Sequence, residues 1–336
     1  MSGDCIRSLP VKAFCIVTFA CVMLFSAGSV VDREAAGGSV TSVESKPAKL
    51  AFTSKKNGEY IFDTGILRGK LPQGDKTLGL SSVVHVPSGT ELNGGYGIFS
   101  YYRVFTTNKR YGTAAWDWPS TSKLLSDGAV QITWPEGKER PFEMVAIYRW
   151  GANSTLDIET IVKARKDLSN FEVFLASYFN ETFPASYVCV GNHPDAKKRP
   201  GFLMAKKSYG YWQMFPRSRK VLGVIHDGRW QKEPHPVKWV IMPQMKRPIG
   251  LRCGAKGDLT AVLMAPVEDC FAIATPCEGE SHYSMYLSLF GRDIKAGETA
   301  GARTRFVVTT AGSEKEILDL YRKYMKDIAK EAKERR

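Results

Sequence analysis

Several things are missing from this 336-residue chain, and each absence narrows its function. No apolar run reaches the roughly 20 residues that span a bilayer as a helix; the longest, Ala13 to Phe25, falls well short. No GxSxG elbow, HExxH pair or Walker loop occurs, which removes serine hydrolases, zincins and nucleotide-phosphate enzymes. The five histidines are scattered without metal spacing, and the cysteines lack the paired CxxC pattern of a zinc site, so neither a metal nor another cofactor is expected. The formal charge of +13 lacks the basic stripe and recognition motif that nucleic acid requires. It fits a basic surface, or attraction to acidic polysaccharide or a membrane surface, and no nucleic-acid partner is expected.

What is present begins with a leader. Arg7 and Lys12 precede the apolar run, and the small residues Ser26, Ala27 and Gly28 follow it. This order predicts a secretory signal over residues 1–28, an exported protein in the periplasm or outside the cell, and no stable membrane span once the signal is cleaved. Residues 29–48 are small, polar and charged without period, and read as a flexible lead-in. Cys5, Cys15 and Cys21 belong to the signal, which leaves Cys189, Cys253, Cys270 and Cys277. These four stay as buried thiols or form disulfides by one of three pairings, with Cys270 and Cys277 the first pair to test. Asn153-Ser154-Thr155 and Asn180-Glu181-Thr182 fit the glycosylation sequon.

Residues 49–312 read as strands. Leu156, Ile158, Thr160, Val162 and Ala164 alternate with polar residues, and after Asp167, Ser169 and Asn170 the run Phe171 to Asn180 is apolar on both faces, so a hairpin is expected. Similar runs lie at 78–86, 129–134, 144–150, 237–242, 259–264, 271–275, 282–290 and 302–310. No long amphipathic helix separates them, which disfavours a parallel sheet with its helical crossovers. The fold class predicted is all-β, a large antiparallel two-sheet super-sandwich. It ends in an amphipathic helix over 313–336, started by a Ser313–Glu316 capping box, with Ile317, Leu320, Tyr321, Tyr324 and Ile328 on the docking stripe.

Ser177-Tyr178-Phe179-Asn180 resembles the Tyr-Phe-Asn region that closes a central strand in galactose mutarotase and its relatives, the aldose 1-epimerase-like superfamily. Thr106 to Gly112, TTNKRYG, resembles the Asn- and Arg-bearing turn with which that superfamily holds sugar hydroxyls. The resemblance implies the super-sandwich and a sugar groove. It also marks a departure: Ala176 stands where mutarotases carry a histidine acid, and Glu181 replaces the family leucine. An alanine transfers no proton, so the scaffold carries over and the standard chemistry does not.

The stretch Gly94 to Pro119 packs aromatic planes and donors between glycines, chemistry suited to a carbohydrate. Arg103, Asn108 and Arg110 are its candidate hydroxyl partners, with Tyr178 and Asn180 added from the resemblance. Trp116 and Trp118, placed on a strand, form either a stacking platform or core. His226, Asp227, Arg229 and Trp230 in IHDGRW form either a ligand-facing loop or a plain Asp-Gly turn. Glu280 and His282, beside Glu278 at the head of a strand, form either an acid–base pair or solvated loop charges. His85, His193 and His235 read as structural, and other carboxylates, Asp117, Glu268, Asp269 and Asp293, have no readable separation. The resulting reading is an exported carbohydrate-recognising sandwich whose catalytic candidates are His226, Asp227, Glu280 and His282; the alternative is a non-catalytic binding or structural envelope protein. If the site is real, Arg110, His226, Glu280 and His282 should line one concavity.

Overall fold

Period-two burial shapes the strand Thr155–Ala164, where Leu156, Ile158, Thr160, Val162 and Ala164 are buried in turn. The computed structural model describes residues 50–73, 76–195 and 201–334; the leader, the lead-in and Cys5, Cys15 and Cys21 lie outside them. Thr155–Ala164 sits in a nine-stranded sheet between Phe142–Ala152 and Thr299–Thr309. A seven-stranded sheet runs in the order Val240–Ile241, Trp212–Pro216, Cys270–Pro276, Ser284–Ile294, Leu168–Tyr178, Ser100–Thr106, Lys109–Arg110. Every pairing is antiparallel except that of Trp212–Pro216 with Val240–Ile241. The two sheets meet face to face: Tyr101 from one bonds Thr160 of the other at 2.6 Å and packs its ring on Trp134 at 4.8 Å.

A third, five-stranded sheet over residues 53–91, unread in the sequence beyond its 78–86 run, adds Phe62, Leu67, Leu71 and Val83 to the same core. The expected hairpin is corrected. Thr155–Ala164 and Leu168–Tyr178 belong to different sheets, so the turn between them crosses from one layer to the other. Leu168–Tyr178 is buried on both faces because Trp230 and Trp239 pack on its outer side at Phe174, and it pairs with Ser284–Ile294 and Ser100–Thr106 instead.

Helix Glu314–Glu334 forms as its cap predicts, with Ser313 Oγ accepting from the Glu316 N–H at 3.3 Å and Glu316 Oε2 accepting from the Ser313 N–H at 3.0 Å. Its buried Ile317, Tyr321 and Tyr324 dock on the outer face of the nine-stranded sheet against Tyr187, Leu251 and Val307. Arg305 ties the two together, bonding Asp157 of the sheet at 2.6 Å and Asp327 of the helix at 2.7 Å. The pairing of Cys270 with Cys277 is also corrected. Both flank one continuous strand, Cys270–Pro276, which at about 3.3 Å per residue holds them some 20 Å apart. All four cysteines of the described residues are buried free thiols. Among the described residues no helix is long and apolar enough to cross a membrane.

Candidate functional site

The outer face of the seven-stranded sheet carries a cleft of about 430 Å³. Its floor comes from neighbouring strands: Phe174 stacks on Tyr286 at 4.5 Å, and Tyr178 meets the same ring edge-on at 6.0 Å. Ala176 lies between Phe174 and Tyr178 on this outward face, fully buried and outside the residues that line the cleft. One wall is a stack in which Trp116 lies against Tyr102 at 4.7 Å and Tyr96 at 5.4 Å. The opposite wall is built by Trp212, Trp230 and Trp239, packed edge to face at 5.1 and 5.9 Å.

Two local devices create this arrangement. A β-bulge interrupts the pairing of Ser100–Thr106 with Leu168–Tyr178, so that Phe174 faces Arg103 and Leu175 faces Tyr101, with Tyr102 extra between them. In a regular strand Tyr102 and Arg103 would point to opposite faces; the bulge turns both toward the cleft while Tyr101 and Val104 stay in the core. Gly97 then holds φ at 75° where a Cβ would lie 2.7 Å from the Leu80 carbonyl, and this turn presents Tyr96, half of whose surface is exposed.

The structure divides the residues singled out in the sequence. Arg103, Tyr178, Trp230 and His282 border the cleft. Arg103 is 4% exposed; its Nη2 donates to the His235 carbonyl at 2.9 Å and to the Tyr102 hydroxyl at 3.1 Å. His282 stands at the rim, in a turn before the strand, which starts at Ser284 and not at the histidine. Glu280 therefore reaches it through that turn: Oε1 lies 2.7 Å from His282 Nδ1, and Oε2 accepts the His282 backbone N–H at 2.9 Å. A carboxylate on Nδ1 favours the proton there and leaves Nε2 as the acceptor nitrogen. Burial and its tyrosine neighbour push the Tyr178 hydroxyl far up, and burial pushes Tyr286 up to about 12, so both hydroxyls stay protonated; that of Tyr286 accepts from Ser284 Oγ at 2.8 Å.

The others do not line it. Arg110 sits behind the wall, donating to the carbonyls of Pro234 and Thr113 and holding the loop that carries His235. Asn108 is an exposed turn residue at φ 50° whose Oδ1 would lie 2.6 Å from a Cβ on Gly228. Asn180 caps its own turn, accepting the Thr182 N–H at 3.0 Å. The loop from His226 to Trp230 is split: His226 is exposed on a separate depression behind Trp230. Asp227 and Arg229 belong to a buried ion network in which Arg229 bonds Glu172 and Asp227 at 2.7 Å each and the Asn170 carbonyl at 2.9 Å. Burial pushes the Glu172 carboxyl up and the guanidinium partly pulls it back. Of Arg110, His226, Glu280 and His282, only His282 borders the cleft, so the expected single concavity around these four is corrected. Trp116 and Trp118 lie on and just after a 3₁₀ turn, Ala115–Asp117, and diverge: Trp118 packs on Phe142 with Arg140 over its ring.

Tyr96, Tyr102, Phe174, Trp212, Trp239 and Tyr286 are among the cleft residues that sequence reasoning did not assign to the site. The first two fall inside the aromatic stretch Gly94 to Pro119, the one signal that could have found them.

The chain matches no family profile and no curated protein. Among solved structures it is similar to the Slr1438 protein of Synechocystis sp. PCC 6803, with 12% identity over 78% of this chain and 99% of that one and a TM-score of 0.44. It is also similar to the GalM/aldose epimerase homologue of C. elegans, at 8% identity over 77% and 91% with a TM-score of 0.35. A third is the alpha-N-acetylgalactosaminidase NagBb of Bifidobacterium bifidum, at 8% identity, a TM-score of 0.43, and coverage of 82% of this chain but 37% of that enzyme. Aldose epimerase homologues are thus among the solved structures it resembles, at low identity. These similarities bring neither an activity nor a substrate to the chain.

Proposed function

We propose that the cleft on the seven-stranded sheet binds a saccharide. The observation that carries this reading is the composition of its lining: nine of 17 residues are aromatic, interspersed with donors such as Arg103, Lys76, Thr113, the tyrosine hydroxyls and the rim histidines. Ring faces suit the C–H side of a pyranose, and a few directional donors suit its hydroxyls. The order of basic, apolar and small residues over 1–28 supports export, which would bring the cleft into contact with glycans outside the cytoplasm. Titration calorimetry with glucose, galactose, N-acetylgalactosamine and their oligosaccharides tests the reading. Binding by the native protein, weakened at least tenfold by Tyr96→Ala, is expected; no heat with any saccharide overturns it.

A second reading, catalysis on the bound sugar, is favoured by the Glu280–His282 pair at the rim, an imidazole already oriented by a carboxylate. Ala176, standing where the resemblance implies a histidine acid, weighs against mutarotation and in favour of a binding protein.

A further inference from the structure

Charge around the cleft is unevenly matched. At the rim Lys76 faces Asp117 at 3.6 Å and His282 faces Glu280. Arg103 and Arg110 have no carboxylate within ion-pair distance among the described residues, in contrast to Arg229, which has two. Both are bonded to carbonyls of the loop at 234–235, and Tyr102 is the shared neighbour of the two guanidiniums, whose centres lie 4.8 and 6.0 Å from its ring. Burial and the repulsion of Arg103 bring Arg110 down to about 10. Arg103 keeps Nε and Nη1 buried without an acceptor among the described residues, and Arg110 keeps Nε so. A guanidinium does not shed its proton in a protein, so two such groups held together in an aromatic setting remain charged and short of acceptors.

We infer that the saccharide bound here is acidic, carrying a carboxylate or sulfate whose oxygens are received by Arg103 with the Tyr102 hydroxyl as second donor. The inference rests on the saccharide reading of the same cleft. Tyr102 already accepts from Arg103, which leaves its own O–H free to donate to an oxyanion. Such an ion offsets the mutual repulsion of Arg103 and Arg110, which a neutral sugar hydroxyl does not. The net charge of +13 acts in the same sense at longer range, drawing acidic glycans toward the surface.

Calorimetry at fixed ionic strength separates the possibilities. The probes are galactose, galacturonate, galacturonate methyl ester, galactose 6-sulfate and the corresponding glucose series. At least one acidic form should bind ten times more tightly than its neutral parent, and the carboxylate arm and the sulfate arm identify which oxyanion is used. The methyl ester, which keeps the shape and removes the charge, should lose a uronate preference with the native protein, so this control does not depend on any variant folding. Arg103→Gln, checked for a native near-ultraviolet spectrum, should bind acidic and neutral forms within threefold of each other. Neutral sugars binding as tightly as acidic ones overturn the inference and leave the saccharide reading standing. Binding of no sugar overturns both, and an acidic preference that survives in folded Arg103→Gln overturns the assignment to Arg103.

Discussion

Arg229 Nη1 lies 2.7 Å from Glu172 Oε2, and neither side chain has any exposed surface. The pair joins a strand of the seven-stranded sheet to the turn at Arg229–Gln231, which carries Trp230 into the cleft wall. Removing Arg229 strands the Glu172 carboxylate away from water, whereas removing Glu172 leaves Arg229 its second partner, Asp227. Arg229→Ala should therefore cost about 3–5 kcal/mol in urea unfolding, Glu172→Ala should cost less, and adding Glu172→Leu to Arg229→Leu should recover part of the loss. A cost below about 1 kcal/mol for Arg229→Ala would mean that water reaches Glu172.

Catalysis and binding part company at His282. If the imidazole transfers a proton, His282→Ala should lower turnover of the bound saccharide by at least about 100-fold, the usual reach of general acid–base catalysis, with affinity changed less than threefold. Glu280→Gln keeps the bond to the backbone N–H and loses the charge on Nδ1, so it should fall between His282→Ala and the native protein. Equal turnover in all three removes the pair from any mechanism and leaves a binding cleft.

The β class was legible because alternation such as that of Leu156 to Ala164 depends only on neighbours in the chain. The helix was legible because Ser313 and Glu316 satisfy each other across one turn. The cleft was not, because Phe174, Tyr286, Tyr102 and Trp239 come from segments brought together by sheet order, which no local period records. Leu168–Tyr178 is buried on both faces, so its pattern gave no sign of which side met the other sheet. The bulge at Tyr102 has no local signature either, and without it Arg103 would be assigned to the wrong face. Asp227-Gly228 was readable as a turn, and Gly228 does take φ 94°. That Arg229 would turn inward to Glu172, 57 positions away, was not.

The helix interface contains two buried hydroxyls without a partner among the described residues, those of Tyr321 and Tyr324, although Arg305 lies over the Tyr324 ring at 4.4 Å. A buried hydroxyl without a partner carries a desolvation cost of about 1–3 kcal/mol, and the ring alone supplies the packing. Tyr321→Phe and Tyr324→Phe should leave the thermal midpoint unchanged or raise it, whereas Tyr324→Ala should lower it by several degrees. A clear drop on losing the hydroxyl alone would reveal a bonded water.

Asp269 gives stability an acid-side slope of unusual sign. Burial pushes its carboxyl up to about 6, against the bond from the Arg303 N–H to Oδ2 at 2.8 Å and the attraction of Arg292 and Arg303. An unfolded aspartate titrates near 3.9, so between about pH 4 and pH 6 the folded chain binds more protons than the unfolded one, and unfolding free energy falls as pH rises. The contribution is complete below the unfolded value and gone above the folded one. Asp269→Asn keeps an acceptor for Arg303 and cannot ionise. It should match the native protein near pH 4 and exceed it at pH 7 by on the order of 1–2 kcal/mol, less than the full shift implies because the group is partly solvated. Urea unfolding of both proteins at pH 4, 5, 6 and 7 measures the difference. Parallel curves would place the Asp269 carboxylate in ordinary contact with solvent.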